Sequence, residues 1–372
     1  MHVHIIYYNY LRPDGSGMSI GGIQTYLSNL IPVFRDCGFD VTVYQRSTEA
    51  FHKDLGGYDV FGVPHEKNHC RQTAAALLDA ALPHIDMEHD LLLYGCETCV
   101  TRAVPCRTIA IQHGISWDVP HFYGCPKWRY LKHYIGKCRR AWMVCQRVAK
   151  VDQLVCVDHN FVNWYRAIVP HPKVRPTVIP NFSAIPSERP QKDNEVLQIM
   201  FARRFFVHRG TRLFADVAER LLQKYPHIHI TVAGEGPDAG YMHGKLDSYA
   251  NVSFITYSSE ESLQLHRDKD IAVVPTIGSE GTSLSLLEAM VSGCATVCTN
   301  VGGMTNIVLD RYNGLMISPD EESLYEALES LIVDEELRKR LQTKAFETVK
   351  ETFSLDLWKR RWMRVIHSSG NL

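Results

Sequence analysis

Residues 275–293, PTIGSEGTSLSLLEAMVSG, decide the fold. They follow a wholly apolar run at 271–274, which predicts a buried parallel strand because an exposed strand would alternate with polar residues. The polar turn at 279–283 then leads into a mostly apolar helix that Ser292-Gly293 ends, since glycine readily takes the left-handed cap conformation. A buried strand, a short turn and a packed helix in this order indicate an α/β protein.

The start of this helix has the chemistry of an anion site. Thr282 or Ser283 stands at the position of an N-cap, whose hydroxyl satisfies one free backbone N–H. The remaining N–H groups and the positive end of the helix dipole lie beside Gly281, which favours a phosphate. Glu280 precedes the helix and Glu288 lies within it, and a carboxylate on an apolar helix requires a partner such as a sugar hydroxyl. The alternative is a capped helix with an exposed glutamate.

Length and composition bound the class of protein. A chain of 372 residues exceeds the usual size of a single core, so we expect two domains. The pI near 7 gives no argument for nucleic acid as a partner. Eleven scattered cysteines, an odd number, favour reduced thiols in the cytoplasm over a disulfide framework. The N-terminus lacks the pattern of a signal peptide, and no run of apolar residues is long enough to span a membrane.

The first half of the chain alternates strands with helices, which predicts a parallel sheet covered on both faces. Gly21-Gly22 opens a helix after the first strand, where glycine either lets the backbone approach a ligand or simply packs tightly. His113 lies in the turn after the strand predicted at 108–111, and open α/β sheets bind ligands at such carboxyl ends. A lone histidine is otherwise an ordinary surface or core residue.

A second α/β series follows the proline-rich linker at 179–194. Arg203, Arg204 and Arg209 cluster after the first strand of this series, in a setting that suits a diphosphate. Neither half carries a Gly-x-Gly-x-x-Gly or Walker-type loop after its first strand, which argues against a nicotinamide dehydrogenase and a P-loop kinase.

Two basic segments leave alternatives open. Residues 126–150 contain eight Lys or Arg, no acid, and interleaved aromatic residues. This pattern predicts contact with an anionic membrane surface or a phosphorylated acceptor, or else a solvated basic face whose aromatics pack inward. Residues 353–366 form a second basic amphipathic helix, for which a membrane-lying position is also considered.

The spacing Glu-Gly-x-x-Leu-x-x-x-Glu at 280–288 resembles the Glu-x7-Glu motif of retaining family-four glycosyltransferases. Pro180-Asn181, the arginine cluster, the glycines at 234 and 236 and Gly302-Gly303 follow the order of that family. The resemblance implies the GT-B fold, in which two Rossmann-like domains of parallel sheet face an interdomain crevice. It implies an acceptor-side domain at 1–182, a nucleotide-sugar domain at 183–353 and, at 354–372, a helix crossing back to the first domain.

The resemblance also implies roles for individual residues. Those implied to be catalytic are Glu280, Arg204, Arg209 and His113. Those implied to bind substrate are Gly21, Gly22, Gly234, Gly236, Gly281, Thr282, Ser283, Leu284 and Glu288. Arg203 stands where the family has glycine and Arg209 where it has lysine, so whether Arg203 or Arg204 faces the diphosphate stays open.

We therefore expect a retaining glycosyltransferase that moves a sugar from a nucleoside-diphosphate sugar to a glycan or lipid-linked acceptor, in bacterial surface polysaccharide synthesis. No Asp-x-Asp metal clamp occurs, and two arginines with a helix dipole can replace a divalent ion, so we expect no metal and no cofactor. The expected location is cytoplasmic, with peripheral membrane contact through 126–150 as one alternative. A UDP-sugar 2-epimerase of similar fold and a non-catalytic nucleotide-sugar-binding protein are the alternative functions.

Overall fold

A computed structural model describes residues 1–19, 21–68, 70–119, 129–258 and 261–368. The chain divides into two compact units. The first comprises residues 1–113, 125–180 and 358–372, and the second comprises 114–124 and 181–357. These divisions lie within a few residues of the predicted boundaries at 182/183 and 353/354, apart from the segment 114–124.

The first unit is built on an eight-stranded sheet in the order β3-β4-β2-β1-β5-β6-β7-β8. Its strands are β1 His2–Ile6, β2 Asp40–Ser47, β3 Phe51–Asp54, β4 Asp59–Pro64, β5 Leu91–Tyr94, β6 Arg107–Gln112, β7 Gln153–Cys156 and β8 Pro176–Val178. All neighbouring pairs are parallel except β3 with β4, which are antiparallel. The sequence analysis does not predict the edge strand β3 or its neighbour β4, because both lack the continuous apolar run of a buried parallel strand.

The second unit is built on a six-stranded sheet in the order β11-β10-β9-β12-β13-β14. Its strands are β9 Gln198–Ala202, β10 His229–Ala233, β11 Val252–Ile255, β12 Ile271–Val274, β13 Ala295–Thr299 and β14 Leu315–Ile317. All its pairs are parallel, and the order is that of a Rossmann-type sheet. The predicted α/β class, with one mainly parallel sheet in each half of the chain, is confirmed.

The described part of the chain contains eleven α-helices, the last three of which follow the final strand. They are α1 Gly22–Asp36, α2 Arg71–Ala81, α3 Arg129–Val148, α4 His159–Ile168, α5 Thr211–Lys224, α6 Ala239–Leu246, α7 Ser262–His266, α8 Leu284–Val291, α9 Glu321–Val333, α10 Glu335–Thr352 and α11 Leu355–Ser368. Among these residues no helix has the length and apolar character needed to cross a membrane.

The last helix, α11, packs against α1 of the first unit through two buried tryptophans. The Trp358 ring lies 5.0 Å from that of Tyr26 in an edge-to-face contact, and Trp362 Nε1 donates a hydrogen bond of 2.8 Å to the Tyr26 hydroxyl. Trp362 also lies against Phe34. Because these tryptophans are core residues, they are not available to a membrane, and the membrane-lying alternative for this helix is not supported.

Candidate active site

The candidate site lies at the topological switch point of the second sheet. Strands β9 and β12 are neighbours there, and the chain leaves them toward opposite edges of the sheet. Open α/β sheets bind ligands at the carboxyl ends of such strands. Arg203 follows β9 directly, and the loop at 275–283 follows β12 and leads into α8. The sheet therefore brings together residues that are more than 70 positions apart in the sequence.

Glu280 is the centre of this cluster. Its Oε2 accepts hydrogen bonds from Arg203 Nη2, from Arg209 Nη1 and, at 3.1 Å, from Thr276 Oγ1. Burial alone would raise the pKa of this carboxyl, but the two guanidinium groups outweigh it and lower the pKa to about 2. Glu280 is therefore ionised throughout the neutral range.

Arg203 donates hydrogen bonds to four side chains that follow the neighbouring strand β12. Besides Glu280, its Nη2 donates to Thr276 Oγ1 at 2.8 Å, and its Nη1 donates to Ser283 Oγ at 3.2 Å and to Ser285 Oγ. The Arg203 side chain is only 7% exposed, and burial lowers its pKa from the usual arginine value. Such a guanidinium is fixed in place before any ligand arrives, which is the condition for efficient electrostatic stabilisation.

Arg204 lies apart from this cluster. It is exposed, and its guanidinium lies over the ring of Phe206 at 5.7 Å. Consecutive residues leaving a strand point to opposite sides, so only one of the two arginines can turn toward Glu280. The structure places Arg203 beside Glu280, whereas Arg204, the arginine predicted for the site, lies outside this cluster.

The start of α8 is capped as the sequence predicts, with Ser283 as the N-cap. Ser283 Oγ accepts from the Leu286 N–H at 3.4 Å, and Leu284 is the first helical residue. The preceding Thr282 is buried, and its carbonyl accepts a hydrogen bond of 2.6 Å from Asn181 Nδ2. Ser283 thus both caps the helix and accepts from Arg203, so the same hydroxyl group joins the helix terminus to the guanidinium.

Glu288 lies one turn into the same helix. Ser262 Oγ donates to its Oε2 at 2.6 Å, and burial raises the pKa of the Glu288 carboxyl. The two predicted glutamates therefore differ in environment. Glu280 accepts from two guanidinium groups, whereas Glu288 accepts from a neutral hydroxyl and retains further acceptor capacity.

Two glycines of the second unit, Gly302 and Gly234, adopt backbone conformations that require glycine. Gly302 has a φ of +57°, and a Cβ there would lie 2.0 Å from the carbonyl oxygen of Glu280. Gly234 has a φ of +139°, and its Cβ would lie 2.1 Å from the carbonyl oxygen of Arg203. These glycines let neighbouring loops pack directly on the backbone that carries the charged pair. Gly236 packs in the same way on Phe205.

The predicted site residues of the first unit, Gly21, Gly22 and His113, follow strands β1 and β6 of its sheet. Gly21 caps α1, and Gly22 is the first residue of that helix. His113 follows β6; its Nε2 donates to the Gly95 carbonyl at 2.9 Å, and its ring contacts Tyr26 edge-to-face. Because a carbonyl can only accept, Nε2 carries the proton and Nδ1 is an acceptor. Burial lowers the pKa of His113 to about 4, so the ring is neutral.

The second unit thus brings Glu280 and Arg209 together with Gly281, Thr282, Ser283, Leu284 and Glu288 around the switch point. The sequence analysis did not identify Thr276, Ser285 and Ser262, whose hydroxyls bind the charged groups. A single serine or threonine forms no recognisable sequence motif. Thr276 and Ser285 could have been considered because they lie within five residues of Glu280 in the sequence, whereas Ser262 does not. Within the described residues, no group of three or more His, Cys, Asp or Glu is arranged to hold a metal ion.

A Rossmann-ordered sheet with two arginines, a carboxylate and a capped helix at its switch point defines an enzyme-type site for an anionic, nucleotide-like substrate. Residues 185–348 match the model of the family described as Glycosyl transferases group 1. Curated relatives agree. The D-inositol 3-phosphate glycosyltransferase of Paenarthrobacter aurescens is 26% identical over 386 residues, covering 94% of this chain and 92% of that protein.

A second relative is an uncharacterized glycosyltransferase of Methanocaldococcus jannaschii, MJ1607, which is 24% identical over 170 residues. That match covers 44% of this chain and 43% of the relative, so the aligned part is less than half the length of either. The resemblance predicted from the motif at 280–288 is confirmed for residues 185–348, which match the group 1 glycosyltransferase model.

Solved structures support the fold. Sucrose-phosphate synthase from Thermosynechococcus elongatus superposes with a TM-score of 0.78 at 14% identity, covering 98% of each chain. Anabaena Alr3699/HepE in complex with UDP-glucose superposes with a TM-score of 0.72 at 12% identity, covering 99% of this chain and 100% of that one. At these identities the likeness concerns the fold alone, which is GT-B.

Proposed function

We propose that the chain is a retaining glycosyltransferase that moves a sugar from a nucleoside-diphosphate sugar to a glycan or lipid-linked acceptor in surface polysaccharide synthesis. The observation that carries this proposal is Glu280 held by Arg203 and Arg209 beside the capped start of α8. Each part of that cluster corresponds to one part of a nucleotide-sugar donor.

The arginines and the helix start suit the diphosphate. When the sugar–phosphate bond breaks, the leaving nucleoside diphosphate gains negative charge. A guanidinium has five N–H donors, of which Arg203 uses four within the cluster. Its Nε–H and the remaining donors of Arg209 are therefore the ones that would bind phosphate oxygens. The preorganised positive charge would then stabilise the leaving group, the largest catalytic contribution in many enzymes, and would do so without a divalent ion. Metal independence is part of the proposal.

The positive field of the cluster extends to a neighbouring side chain. Burial, followed by the charges of Arg209 and Arg203, lowers the pKa of His208 to about 4. His208 is therefore neutral at pH 7 and would not add charge of its own. The charges of Arg209 and Arg203, which add to the effect of burial on His208, would also act on a bound diphosphate.

Glu280 is suited to orient sugar hydroxyls and poorly suited to accept a proton. Its pKa of about 2 makes it a weak base, and its Oε2 already accepts three hydrogen bonds. A general base at neutral pH would need a pKa nearer 7. We therefore assign Glu280 a binding and orienting role, and this favours same-face attack assisted by a phosphate oxygen over proton transfer to Glu280.

Glu288 is assigned to the donor ribose. Its carboxyl accepts one hydrogen bond from Ser262 and has acceptor positions left for two vicinal hydroxyls. The complex of HepE with UDP-glucose supports a uridine diphosphate sugar as the donor to examine first. On the acceptor side we place Gly21, Gly22 and the neutral His113, whose Nδ1 can accept a hydrogen bond from a hydroxyl.

The helix α3 supports contact with an anionic membrane surface. Leu131, Tyr134, Ile135 and Trp142 are 58–68% exposed and recur at the spacing that places them on one helix face. The prediction that the aromatics of 126–150 pack inward is wrong for Tyr134 and Trp142. Exposed basic residues, Lys132 and Arg139, accompany this face, and α3 carries no acid. Residues 126–128 of the segment lie outside the described residues.

Liposome sedimentation tests the membrane contact. We expect binding to anionic vesicles that weakens at high salt, because each basic residue near such a surface contributes about 1 kcal/mol within a Debye length of about 8–10 Å. Trp142→Ala should reduce binding, whereas Tyr312→Ala, which removes an exposed aromatic side chain of the second unit, should not. Equal binding to neutral and anionic vesicles, or none to either, would exclude the electrostatic contact and leave the transferase proposal intact.

A panel of UDP-, GDP-, dTDP- and CMP-sugars, scored for thermal stabilisation and for product with and without a chelator, tests the main proposal. We expect one nucleoside diphosphate sugar to stabilise the chain, and its transferred sugar to keep the donor's anomeric configuration by NMR. Interconversion of a UDP-sugar without acceptor would identify the 2-epimerase instead. Binding without any product from any acceptor would favour the non-catalytic alternative.

A further inference from the structure

The switch point of the first sheet carries a pair of cysteines that no step of the proposed reaction uses. Strands β1 and β5 are neighbours there, and the chain leaves them toward opposite edges. Cys96 and Cys99 follow β5 in the order Gly-Cys-Glu-Thr-Cys, a C-x-x-C spacing. The sequence analysis treated the cysteines as scattered single thiols and missed this pair.

The fold holds the two sulfur atoms against each other. The Sγ atoms of Cys96 and Cys99 are 3.4 Å apart. The short 3₁₀ turn between them is tied by the Cys99 N–H, which donates to the Cys96 carbonyl at 3.0 Å, and by the Tyr8 hydroxyl, which donates to the Thr98 carbonyl at 3.0 Å. A disulfide has its sulfurs at about 2.0 Å, so the pair needs a shift of little more than 1 Å to bond.

The two thiols differ in access and in environment. Cys96 keeps 7% exposure, whereas Cys99 is fully buried. Burial, contact with Cys96 and the charge of Glu97 raise the pKa of the Cys99 thiol. Cys96 is the less deeply buried of the two, so a reagent reaches it first, and Cys99 is placed to resolve the mixed disulfide.

We infer that Cys96 and Cys99 form a reversible intramolecular disulfide by exchange with a small-molecule disulfide such as glutathione disulfide. The Cys96 thiolate attacks one glutathione sulfur, releases one glutathione and leaves a mixed disulfide. Cys99, as thiolate, then attacks Cys96 Sγ and releases the second glutathione. Two protein thiols are oxidised, one glutathione disulfide is reduced to two thiols, and the two protein protons pass to the released thiolates.

The cysteine pair is connected to His113 through the peptide group of Gly95. Gly95, which precedes Cys96, supplies the carbonyl that accepts the hydrogen bond from His113 Nε2. Formation of the disulfide would shift the turn that begins at Gly95. It would therefore also shift the Gly95 carbonyl, whose hydrogen bond sets the His113 tautomer. The inference stands on the geometry of the thiols and does not depend on the proposed transferase activity.

Thiol mapping of the folded, full-length chain tests the inference. The chain is equilibrated with reduced and oxidised glutathione at graded ratios, quenched with acid, alkylated after denaturation and digested for mass spectrometry. We expect Cys96 and Cys99 to lose their thiols together and to be found as a peptide in which a disulfide joins them, with full recovery by dithiothreitol. The buried Cys106 and Cys156 should stay alkylatable.

Variants separate the two steps. Cys99→Ser should stop at a glutathione mixed disulfide on Cys96, and Cys138→Ser, which removes an exposed thiol on α3, should leave the pair unchanged. Cys96 and Cys99 remaining alkylatable in the wild-type chain at every ratio would overturn the inference. So would oxidation of the pair only in denaturant, together with Cys106 and Cys156. The wild-type mapping decides the question even where a variant fails to fold.

Discussion

Two glutamates occupy equivalent places in the two sheets, and their pKa values are shifted in opposite directions. Glu280 follows β12 at the switch point of the second sheet, and Glu97 follows β5 at the switch point of the first. Burial pushes both pKa values upward. At Glu97 burial prevails and raises the pKa to about 7, whereas at Glu280 Arg203 and Arg209 reverse it and lower the pKa to about 2. Placement by topology alone therefore does not determine the chemistry of a carboxyl group.

The same contrast extends to the residues around each glutamate. The edge of the first sheet holds groups that burial keeps neutral, His113 with a pKa of about 4 and Cys99 with a raised pKa. The edge of the second sheet holds two guanidinium groups and an ionised carboxylate. The neutral groups of the first sheet suit the uncharged hydroxyls of an acceptor, and the arginines of the second sheet suit the phosphates of a donor. This contrast supports the proposed placement of the acceptor in the first unit and of the donor in the second.

The largest expected effect comes from removing the buried arginine. Arg203→Ala should lower kcat/KM by about 30- to 900-fold, equivalent to about 2–4 kcal/mol of transition-state stabilisation, because a preorganised positive group at the leaving phosphate is lost. Arg209→Ala should fall in the same range. Steady-state kinetics with the donor that the panel identifies is the measurement.

Arg204→Ala is the matched control for that prediction, since it removes the neighbouring and exposed arginine. We expect a loss of less than about fivefold, within the range of an exposed charge. A larger loss for Arg204→Ala than for Arg203→Ala would return the phosphate role to Arg204. Such a result would mean that the ligand-bound chain rearranges after β9.

The next effect concerns stability. Glu280→Gln should lower the free energy of unfolding at neutral pH by about 3 kcal/mol, because it leaves the buried charge of Arg203 without its carboxylate. The folded pKa of Glu280 is below its usual value of 4.5, so its contribution is present above that pH and is lost as the pH falls toward 2. Urea unfolding of both chains should therefore show a difference that narrows in acid. A constant difference would exclude the ion pair as its source.

Glu97→Gln should show the opposite dependence on pH. The folded pKa of Glu97 is above its usual value of 4.5, so its presence favours the folded state least above about pH 7. The variant should gain stability relative to the parent, by about 1–3 kcal/mol, as the pH rises from 4.5 to 7. Glu336→Gln, at an exposed position on α10, is the control and should show no such trend. A variant that loses stability as the pH rises would contradict the assignment.

The sequence determined the elements better than the side-chain directions. Buried strands such as β12 are continuous apolar runs, and the turn at 279–283 has the residues of an N-cap, so both were predictable. Which of Arg203 and Arg204 faces Glu280 depends on the pleat at the end of β9, and two adjacent arginines carry no periodic signal. The partners Thr276 and Ser262 come from separate elements, and only the folded sheet brings them to the glutamates.

The smallest expected effect is at Glu288. Glu288→Gln should weaken binding of the nucleoside diphosphate by about 1 kcal/mol, roughly fivefold, because a neutral amide is a weaker acceptor for ribose hydroxyls than a carboxylate. Competitive inhibition by the free nucleotide is the measurement, with the unfolding midpoint as a check on folding.

Ser262→Ala distinguishes the effect of the Ser262 hydrogen bond on Glu288 from that of the proposed ribose contact. It removes the hydroxyl that donates to Glu288 Oε2 while it keeps the carboxylate. Since burial raises the pKa of Glu288, losing this donor should raise it further and should weaken the nucleotide most at low pH, where the carboxyl becomes protonated. Glu288→Gln should show no such dependence on pH. Unchanged inhibition constants in both variants would place Glu288 outside the nucleotide site and would leave Glu280, with its arginines, as the whole of the charged contact.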